Sequence, residues 1–470
     1  MPSPSGRSRP RPHQAERAAG GAGSPSPAKA RVCACAVLRR VFEQGAYADL
    51  ALRAEARELD ARDRALAMRL AYGAVQRKRT LDYLIERLAE RPLKRLDAPV
   101  LAALRLGLYE LLYLGGAPDH AVVADAVELA KSGGGAMGGR ALSGGGSQAG
   151  SGGHGLVNAV LRRATREGKA LLAALDDSTP EAAALKHSHP EWVARLWWEQ
   201  LGSEDARALL AFDNEPAELA LRVNTLVAEP ASIAEQLRAG PRPAGVHGDP
   251  RIPEALVLEG PWDVHGSPQW RAGAVLAQSR GAMLPARALA PQPGERVLDL
   301  CAAPGGKSTH LAALMGGSGE VVAVERNRRR AAELQRTAER LRAQGCVRVV
   351  LGDAAQPLCE EAPFDRVLVD PPCSGLGTLQ ARADLRWRVA AGDLAQLAQT
   401  QAAILAAGAA VVRPGGVLVY STCTISQTEN QSQILAFLES NTGFSLDDEV
   451  LTLPHRDHTA GFFVARLRRQ

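Results

Sequence analysis

Val297-Leu-Asp-Leu-Cys-Ala-Ala-Pro-Gly-Gly-Lys-Ser308 runs from a short apolar stretch through a glycine pair into a segment of helical periodicity beginning at Thr309. Strand, tight turn and helix in that order form the opening unit of a parallel α/β sheet, where ligands collect beyond the carboxyl ends of the strands. Gly305 and Gly306 allow main chain to approach a ligand closely. Gly306-Lys307-Ser308 ends like a phosphate-binding loop, but Cys301 stands where that loop needs its first glycine. The G-x-G-x-x-G spacing of dinucleotide sites is absent as well.

Working outward, Val-rich runs recur at Arg296 to Leu300, Glu320 to Val324, Val347 to Leu351, Arg366 to Val369 and Val417 to Tyr420. Helical segments lie between most of them, notably Asn327 to Ala343 and Asp393 to Val412. The pattern predicts a doubly wound α/β sheet with both faces covered, over residues 293–470. Phe462 to Leu467, after Gly461, is expected to add an edge strand. Upstream, Val37, Leu38, Val41 and Phe42, then Leu66, Leu70, Ala71 and Val75, then Val100, Leu101, Leu104 and Leu108 recur at three- and four-residue steps. They predict an all-helical domain over residues 30–165, interrupted by a Gly/Ser-rich loop at 133–153. Residues 176–292 read as a connecting region of helices and short strands, with Trp192, Trp197 and Trp198 packing in the core of a helix.

The chain has 470 residues, 46% hydrophobic and 23% charged, which is globular composition. No apolar run approaches the roughly 18 residues of a membrane-spanning helix; the richest, Leu405 to Val412, stops at Arg413 and Pro414, which excludes a membrane protein. The net charge is +5. Arg7, Arg9, Arg11, Arg17, Lys29 and Arg31 against Glu16 account for all of it, so residues 1–29 read as a disordered basic arm. Affinity of the folded part for nucleic acid must then come from local patches. Arg162, Arg163, Arg382, Arg386 and Arg388 are the candidate phosphate contacts. Seven cysteines without regular spacing fit a reducing, cytoplasmic compartment. Cys33 and Cys35 lack companions at metal-ligand spacing and read as core thiols, and no metal is expected.

The chemistry lies at the strand ends. Glu325, Asp353 and Asp370 each follow an apolar strand and so face one crevice with the loop after Asp299. An acid after the second strand is placed to accept both hydroxyls of a ribose. Asp370-Pro-Pro-Cys-Ser-Gly375 and Tyr420-Ser-Thr-Cys-Thr424 put a cysteine just beyond each of two strands. A thiol becomes a strong nucleophile once ionised, and ionisation needs a nearby cation or a helix terminus.

These motifs, with Gly375-Leu-Gly-Thr378 and Asp384-Leu-Arg-Trp387, closely resemble those of the RNA cytosine-5 methyltransferases. Residues 30–163, including Gly155-Leu-Val-Asn-Ala-Val-Leu-Arg162, resemble the NusB-like RNA-binding domain. His189-Pro-Glu-Trp192 and Leu221-Arg-Val-Asn-Thr225 resemble the connecting region of the bacterial 16S rRNA cytosine-5 methyltransferases of the RsmB/Sun family. The resemblance implies a Rossmann-like methyltransferase domain behind an all-α NusB-like domain and a small α+β connecting domain. It implies S-adenosyl-L-methionine as cofactor, held by Cys301, Ala302, Ala303, Pro304, Gly305, Gly306, Lys307, Glu325, Asp353 and Asp370. Glu325 would take the ribose and Asp353 would lie near the adenine. Cys423 would be the nucleophile on cytosine C6, Cys373 the residue of the release step, Asp370 a partner of the cytosine edge, and Lys307 an orienting group. RNA, specifically 16S rRNA, is the implied partner, and a monomer is expected.

Three other readings are set against this one. Transfer RNA is an alternative substrate, and a noncatalytic RNA-binding or assembly factor an alternative role. Asp370-Pro-Pro also resembles the motif of amino-methyltransferases, but those place an aromatic residue where Cys373 stands, and direct attack by an amine needs no cysteine. Two features depart from the family pattern: the Gly-rich insert, and Ala277-Gln-Ser-Arg-Gly-Ala-Met283, which has Ser279 where an acidic residue usually follows the glutamine.

Overall fold

The computed structural model describes residues 27–133, 153–240, 245–260, 262–356 and 363–470. Nearly all of the expected basic arm and of the Gly-rich insert lies outside them. Helices Lys29–Gln44, Ala48–Glu55, Ala61–Gln76, Lys78–Ala89, Ala98–Tyr109, Asp119–Lys131 and Gly153–Ala173 surround a core built from Leu38, Leu70, Leu84, Leu104, Leu108, Val157 and Leu161. Local sequence sets their limits. The Asp60 side chain accepts from Asp63 N at the start of one helix, and Pro99 opens another. Gly45 closes the first helix at φ 66°, a left-handed cap. Cys33 and Cys35 are buried in that helix as core thiols. Arg31, counted with the arm, belongs to this core instead: its guanidinium donates to Glu110 at 2.8 Å and to Asp125 at 3.0 Å.

The connecting region carries a small antiparallel sheet of β1 (Leu219–Val223), β2 (Val246–Asp249), β3 (Ile252–Leu258) and β4 (Val275–Ala277), in the order β2-β3-β1-β4. Before it, helix Glu191–Phe212 buries Trp197 completely, with Trp192 and Trp198 partly covered in the same cluster.

The larger sheet contains β5 (Arg296–Asp299), β6 (Glu320–Glu325), β7 (Val347–Leu351), β8 (Phe364–Val369), β9 (Val412–Thr422), β10 (Phe444–Leu451) and β11 (Phe463–Arg469), in the order β10-β11-β9-β8-β5-β6-β7. The strands from β7 across to β9 are parallel, and β11 and β10 run antiparallel beside β9. The chain builds outward from β5 to β7, then returns to lay β8 on the other side of β5. That reversal opens a crevice beyond the carboxyl ends of β5 and β8.

Two expectations need correcting. The segment near Phe462 forms no edge: β11 lies inside the sheet, and the edge is β10, whose outward Asp447, Asp448 and Glu449 hide the strand from a hydrophobicity reading. The apolar stretch near Leu405 is also longer than its richest run. Helix Asp393–Val411 has 19 residues and a mean hydropathy of 1.3, enough to cross a membrane by length and composition alone. It packs on the sheet, with Ile404, Leu405 and Ala409 in one core with Val367, Val369 and Tyr420. A Cβ at Gly408 would come within 2.9 Å of Val369 Cγ2, so close approach to β8 requires the glycine.

The segment after Cys373 ties the parts together. Trp387 Nε1 donates to Val75 O at 2.7 Å, and Gln76 Nε2 to Gln380 O at 3.0 Å, both reaching the helical core. Gly377 N donates to Cys423 O at 3.0 Å, and Gly461 N to Gly377 O at 2.7 Å. A Cβ on Gly377 would lie 2.1 Å from Gly461 O, main chain that cannot swing away. Gly377→Ala should therefore cost about 1–3 kcal/mol through overpacking. Urea unfolding checks this; an unchanged midpoint with an unchanged slope would contradict so close an approach.

Candidate active site

β8 and β9 are parallel neighbours with Val369 opposite Tyr420, so residues a few positions past each strand end meet. Cys373 Sγ and Cys423 Sγ stand 3.3 Å apart. With the Cys373 S–H donating, negative charge on Cys423 is stabilised, and this holds the Cys423 thiol below its ordinary value although burial opposes it. The exposed Arg382 guanidinium and the Lys307 ammonium add to the effect, and Asp370 works against it. Cys373 is pushed well up by the same hydrogen bond, by burial, and by the charges of Cys423, Glu429 and Asp370. Ionisation is thus favoured at Cys423 over Cys373.

Helix Gly306–Leu314 starts behind Gly305, which adopts φ 101° and passes so close to the next helix that a Cβ would sit 2.6 Å from Leu334 Cδ1. The first turn of this helix turns Lys307 toward β8. Its Nζ lies 2.7 Å from Asp370 Oδ2, while Ser421 Oγ donates to Asp370 Oδ1 at 2.9 Å. Burial disfavours the Lys307 ammonium, but the Asp370 charge and hydrogen bond outweigh it and hold the group above its ordinary value. Asp299, at the end of β5, is fully buried and accepts from Ser308 Oγ at 2.7 Å. Burial raises its carboxyl to about 7. Asp299 thus anchors the helix start and does not open onto the crevice.

The loop Cys301 to Gly306 borders the same crevice. Burial, then the carboxylates of Asp370, Asp299 and Glu325, push the Cys301 thiol well up, which marks it as no nucleophile. Ala302 and Ala303 are buried and Pro304 exposed. Glu325 is 4% exposed; it accepts from Asn327 N at 2.8 Å and faces Arg330 Nη1 at 3.4 Å. Asp353 is exposed at the end of β7, next to Leu351, which is 52% exposed although it pairs with Glu325 in the sheet. An apolar side chain left open beside two carboxylates is a surface suited to a nucleoside.

The sequence reading missed the residues that hold these loops. Arg222 on β1 is buried; it donates to the Gly306 carbonyl and, at 2.8 Å, to Thr309 Oγ1, so the small sheet grips the loop from behind. Gln278, in the segment that departs from the family pattern, accepts from Arg222 at 2.7 Å, and Ser279 caps the following helix. Gln401, Glu429 and Asn430 bond to the two cysteine loops. Glu429 and Asn430 lie in a polar run that reads as a plain connection, where only an asparagine next to a helix start offers a signal.

The five candidate phosphate contacts separate. Arg386 is completely buried and donates to Ser188 O at 3.1 Å and Asp213 O at 3.0 Å. It is a tie between segments, and its charge is not available to a phosphate. Arg388 is committed to Asp384 and to the Gly45 and Ala46 carbonyls, and Arg163 to Glu90 and Glu167. Arg162 and Arg382 are exposed.

With this geometry in view, three family models match in series: the NusB family over residues 28–140, an RsmF/B-like ferredoxin-like domain over 189–265, and the 16S rRNA methyltransferase RsmB/F over 286–468. The probable ribosomal RNA small subunit methyltransferase B of Synechocystis sp. is 35% identical over 92% of this chain and 98% of its own length. This chain belongs to the RsmB/F family. Its relative in Bacillus subtilis, also named a probable small subunit methyltransferase B, is 33% identical over 92% of this chain and 97% of its own. Among solved structures, PH0851 shares the fold with a TM-score of 0.76, at 24% identity, over 95% of this chain and 100% of that one. A methyltransferase homolog protein from Pyrococcus horikoshii aligns with a TM-score of 0.56 at 26% identity, over 62% of this chain and 99% of its own. The family membership and the fold agree with the Rossmann-like methyltransferase architecture and the NusB-like helical part.

Arg382 lowers the Cys423 thiol without touching the proton between the sulfurs. Arg382→Ala should raise the pH midpoint of Cys423 alkylation and slow labelling at neutral pH, because less thiolate is present. Iodoacetamide labelling followed by peptide mass spectrometry reads this; a midpoint at its original pH would refute the electrostatic link.

Proposed function

We propose that this protein methylates C5 of a cytosine in 16S rRNA, using S-adenosyl-L-methionine and a transient bond between Cys423 Sγ and cytosine C6. The observation that carries the proposal is the pair of sulfurs 3.3 Å apart with opposite tendencies to ionise. An enzyme that attacked through a nucleobase amine would need neither sulfur. The names of the relatives support the small-subunit rRNA as substrate. The helical part at residues 30–165 and the connecting region at 176–292 are assigned to RNA docking, and residues 293–470 to catalysis.

The residues at the strand ends fit the cofactor. Glu325 offers a buried carboxylate for ribose hydroxyls, Leu351 an open apolar face beside Asp353 for adenine, and Cys301 to Lys307 a glycine-bearing loop that main chain can bring close. S-adenosyl-L-methionine, when bound, supplies an electrophilic methyl group.

Cytosine C5 lies in an electron-poor aromatic ring and does not react unaided. Addition of the Cys423 thiolate to C6 breaks the C5–C6 double bond and moves its electron pair toward C5. Asp370, fixed by Lys307 and Ser421, is assigned to the cytosine edge. There its carboxylate accepts a hydrogen bond from N3–H, the proton taken up from water as charge develops and returned to water when the adduct breaks down. After methylation, a water takes the C5 proton, the C5–H electron pair restores the double bond, and the C6–S bond breaks to return the Cys423 thiolate. Cys373 assists this departure, because its S–H donates to the leaving sulfur. The target base must leave its stack for a sulfur to reach C6 from above the ring.

Cys423→Ser should abolish turnover and the covalent adduct with RNA containing 5-fluorocytosine, whereas Cys373→Ala, which leaves no donor for the departing sulfur, should let an adduct with ordinary RNA accumulate on denaturing gels. Bisulfite mapping of rRNA and tRNA from cells with and without the protein should show one lost 16S site; loss of a tRNA site alone would overturn the substrate. Glu325→Ala should weaken cofactor binding by roughly tenfold to a hundredfold, the worth of a lost charged hydrogen-bond partner. Titration calorimetry measures it, and unchanged affinity would remove Glu325 from the cofactor site.

A further inference from the structure

Glu429 is a carboxylate with no exposure to solvent, and its hydrogen-bond partners are all neutral. Placing a charge in such a position is costly, so every lone pair it uses must be matched by a donor. Each of those donors belongs to, or leads to, the Cys373 loop. Oε1 accepts from Ser374 N at 2.8 Å and from Gln401 Nε2 at 3.0 Å, and Oε2 accepts from Ser374 Oγ at 2.5 Å. Gln401 Nε2 also donates to Pro372 O at 3.0 Å. Glu429 therefore grips the residue after Cys373 directly and the residue before it through Gln401.

Its neighbour does the same for the other sulfur. Asn430 Nδ2 donates to Thr424 O at 2.9 Å, and Asn430 Oδ1 accepts from Thr422 Oγ1 at 2.5 Å, one residue on either side of Cys423. Asn430 stands at the N-cap of helix Gln431–Ser440, where an asparagine side chain ordinarily accepts from the helix and contributes about 1 kcal/mol. Here it makes no such cap and adopts φ −116°, ψ −100°. The cap is forgone for the Cys423 loop. The two grips are joined, because Ser374 Oγ lies 2.8 Å from Thr424 Oγ1, and Tyr420 OH, inside β9, donates to Glu429 O at 2.6 Å.

We propose that Glu429 and Asn430 act as paired positioning residues, a clamp that holds the Cys373 and Cys423 loops in the sulfur-to-sulfur contact needed for addition and release. Neither touches the substrate. The carboxylate lies on the Cys373 side of the pair and opposes ionisation there, which favours Cys423 as the nucleophile. The inference rests on the reading of Cys423 as the nucleophile.

Glu429→Gln is the informative variant, because it keeps the size of the side chain but turns an N–H2 group toward donors and removes the charge. In alkylation across pH, the midpoints of Cys423 and Cys373 should lie closer together than in the unaltered protein. Turnover on 16S rRNA should fall by about tenfold or more, the usual result of misplacing reacting groups by part of an ångström, and the covalent RNA adduct should accumulate because Cys373 no longer supports the departing sulfur. Should that variant not fold, Gln401→Met, which removes the bonds to Pro372 O and Glu429 Oε1 but leaves the Glu429 side chain and its bonds to Ser374 in place, should give the same convergence at smaller amplitude. Midpoints as far apart as before, or turnover and adduct falling together with cofactor affinity and melting temperature, would overturn the clamp. Alkylation needs no RNA, so it reads the clamp even if the unaltered protein traps no 5-fluorocytosine RNA, a result that would sink the covalent mechanism alone.

Discussion

Two sulfurs stand at hydrogen-bonding distance in a largely buried cleft, and a hydrogen bond between them makes one thiol easier to ionise while making the other harder. The contact exists because β8 and β9 are adjacent and parallel and end at the same level. Each strand then contributes a short loop whose cysteine points back over the sheet. A hydrogen bond between sulfurs is weak and has no geometry of its own to enforce, so the protein must impose the distance from outside. The buried polar groups around it, Glu429, Asn430, Gln401, Ser374 and Thr424, form a network in which the donors of one loop are the partners of the other.

The crevice is also shaped by parts of the chain that contribute nothing to its chemistry. Arg222 reaches from the small antiparallel sheet to the Gly306 carbonyl, so the loop that borders the cofactor region is braced by a separate sheet. Arg386 and Trp387 continue the Cys373 loop into the helical core and the connecting region. The three parts meet in the segment that follows Cys373, which is joined to the helical part by direct hydrogen bonds.

Much of the architecture was legible because the signals were local. Val-rich runs of four to six residues separated by helical periodicity admit few folds besides a doubly wound sheet, and Gly305 beside Gly306 marks the turn of its first unit. β10 was not legible, because an edge strand exposing Asp447, Asp448 and Glu449 lacks the alternation that betrays a covered one. Helix Asp393–Val411 was legible with nearly its full length, but its mean hydropathy was underestimated because alanine, glycine and glutamine dilute its apolar face. Arg386 was misread for a related reason: an arginine in a loop looks like a phosphate contact until its surroundings show both terminal nitrogens donating to carbonyls inside the protein.

The types and order of the reactive groups, an acid after each of three strands and a cysteine after two, follow from the chain alone, since strand ends and side-chain chemistry are local properties. Which sulfur carries charge, and which residues keep the pair together, does not. Cys373 and Cys423 are fifty positions apart, and Gln401 and Glu429 reach them from elements between and beyond. Hydrogen bonds and Coulomb forces depend on distance through space, and spacing along a chain records that distance only within a helix turn or a strand. The division of labour between the two thiols becomes visible only where folding has brought their neighbours into contact.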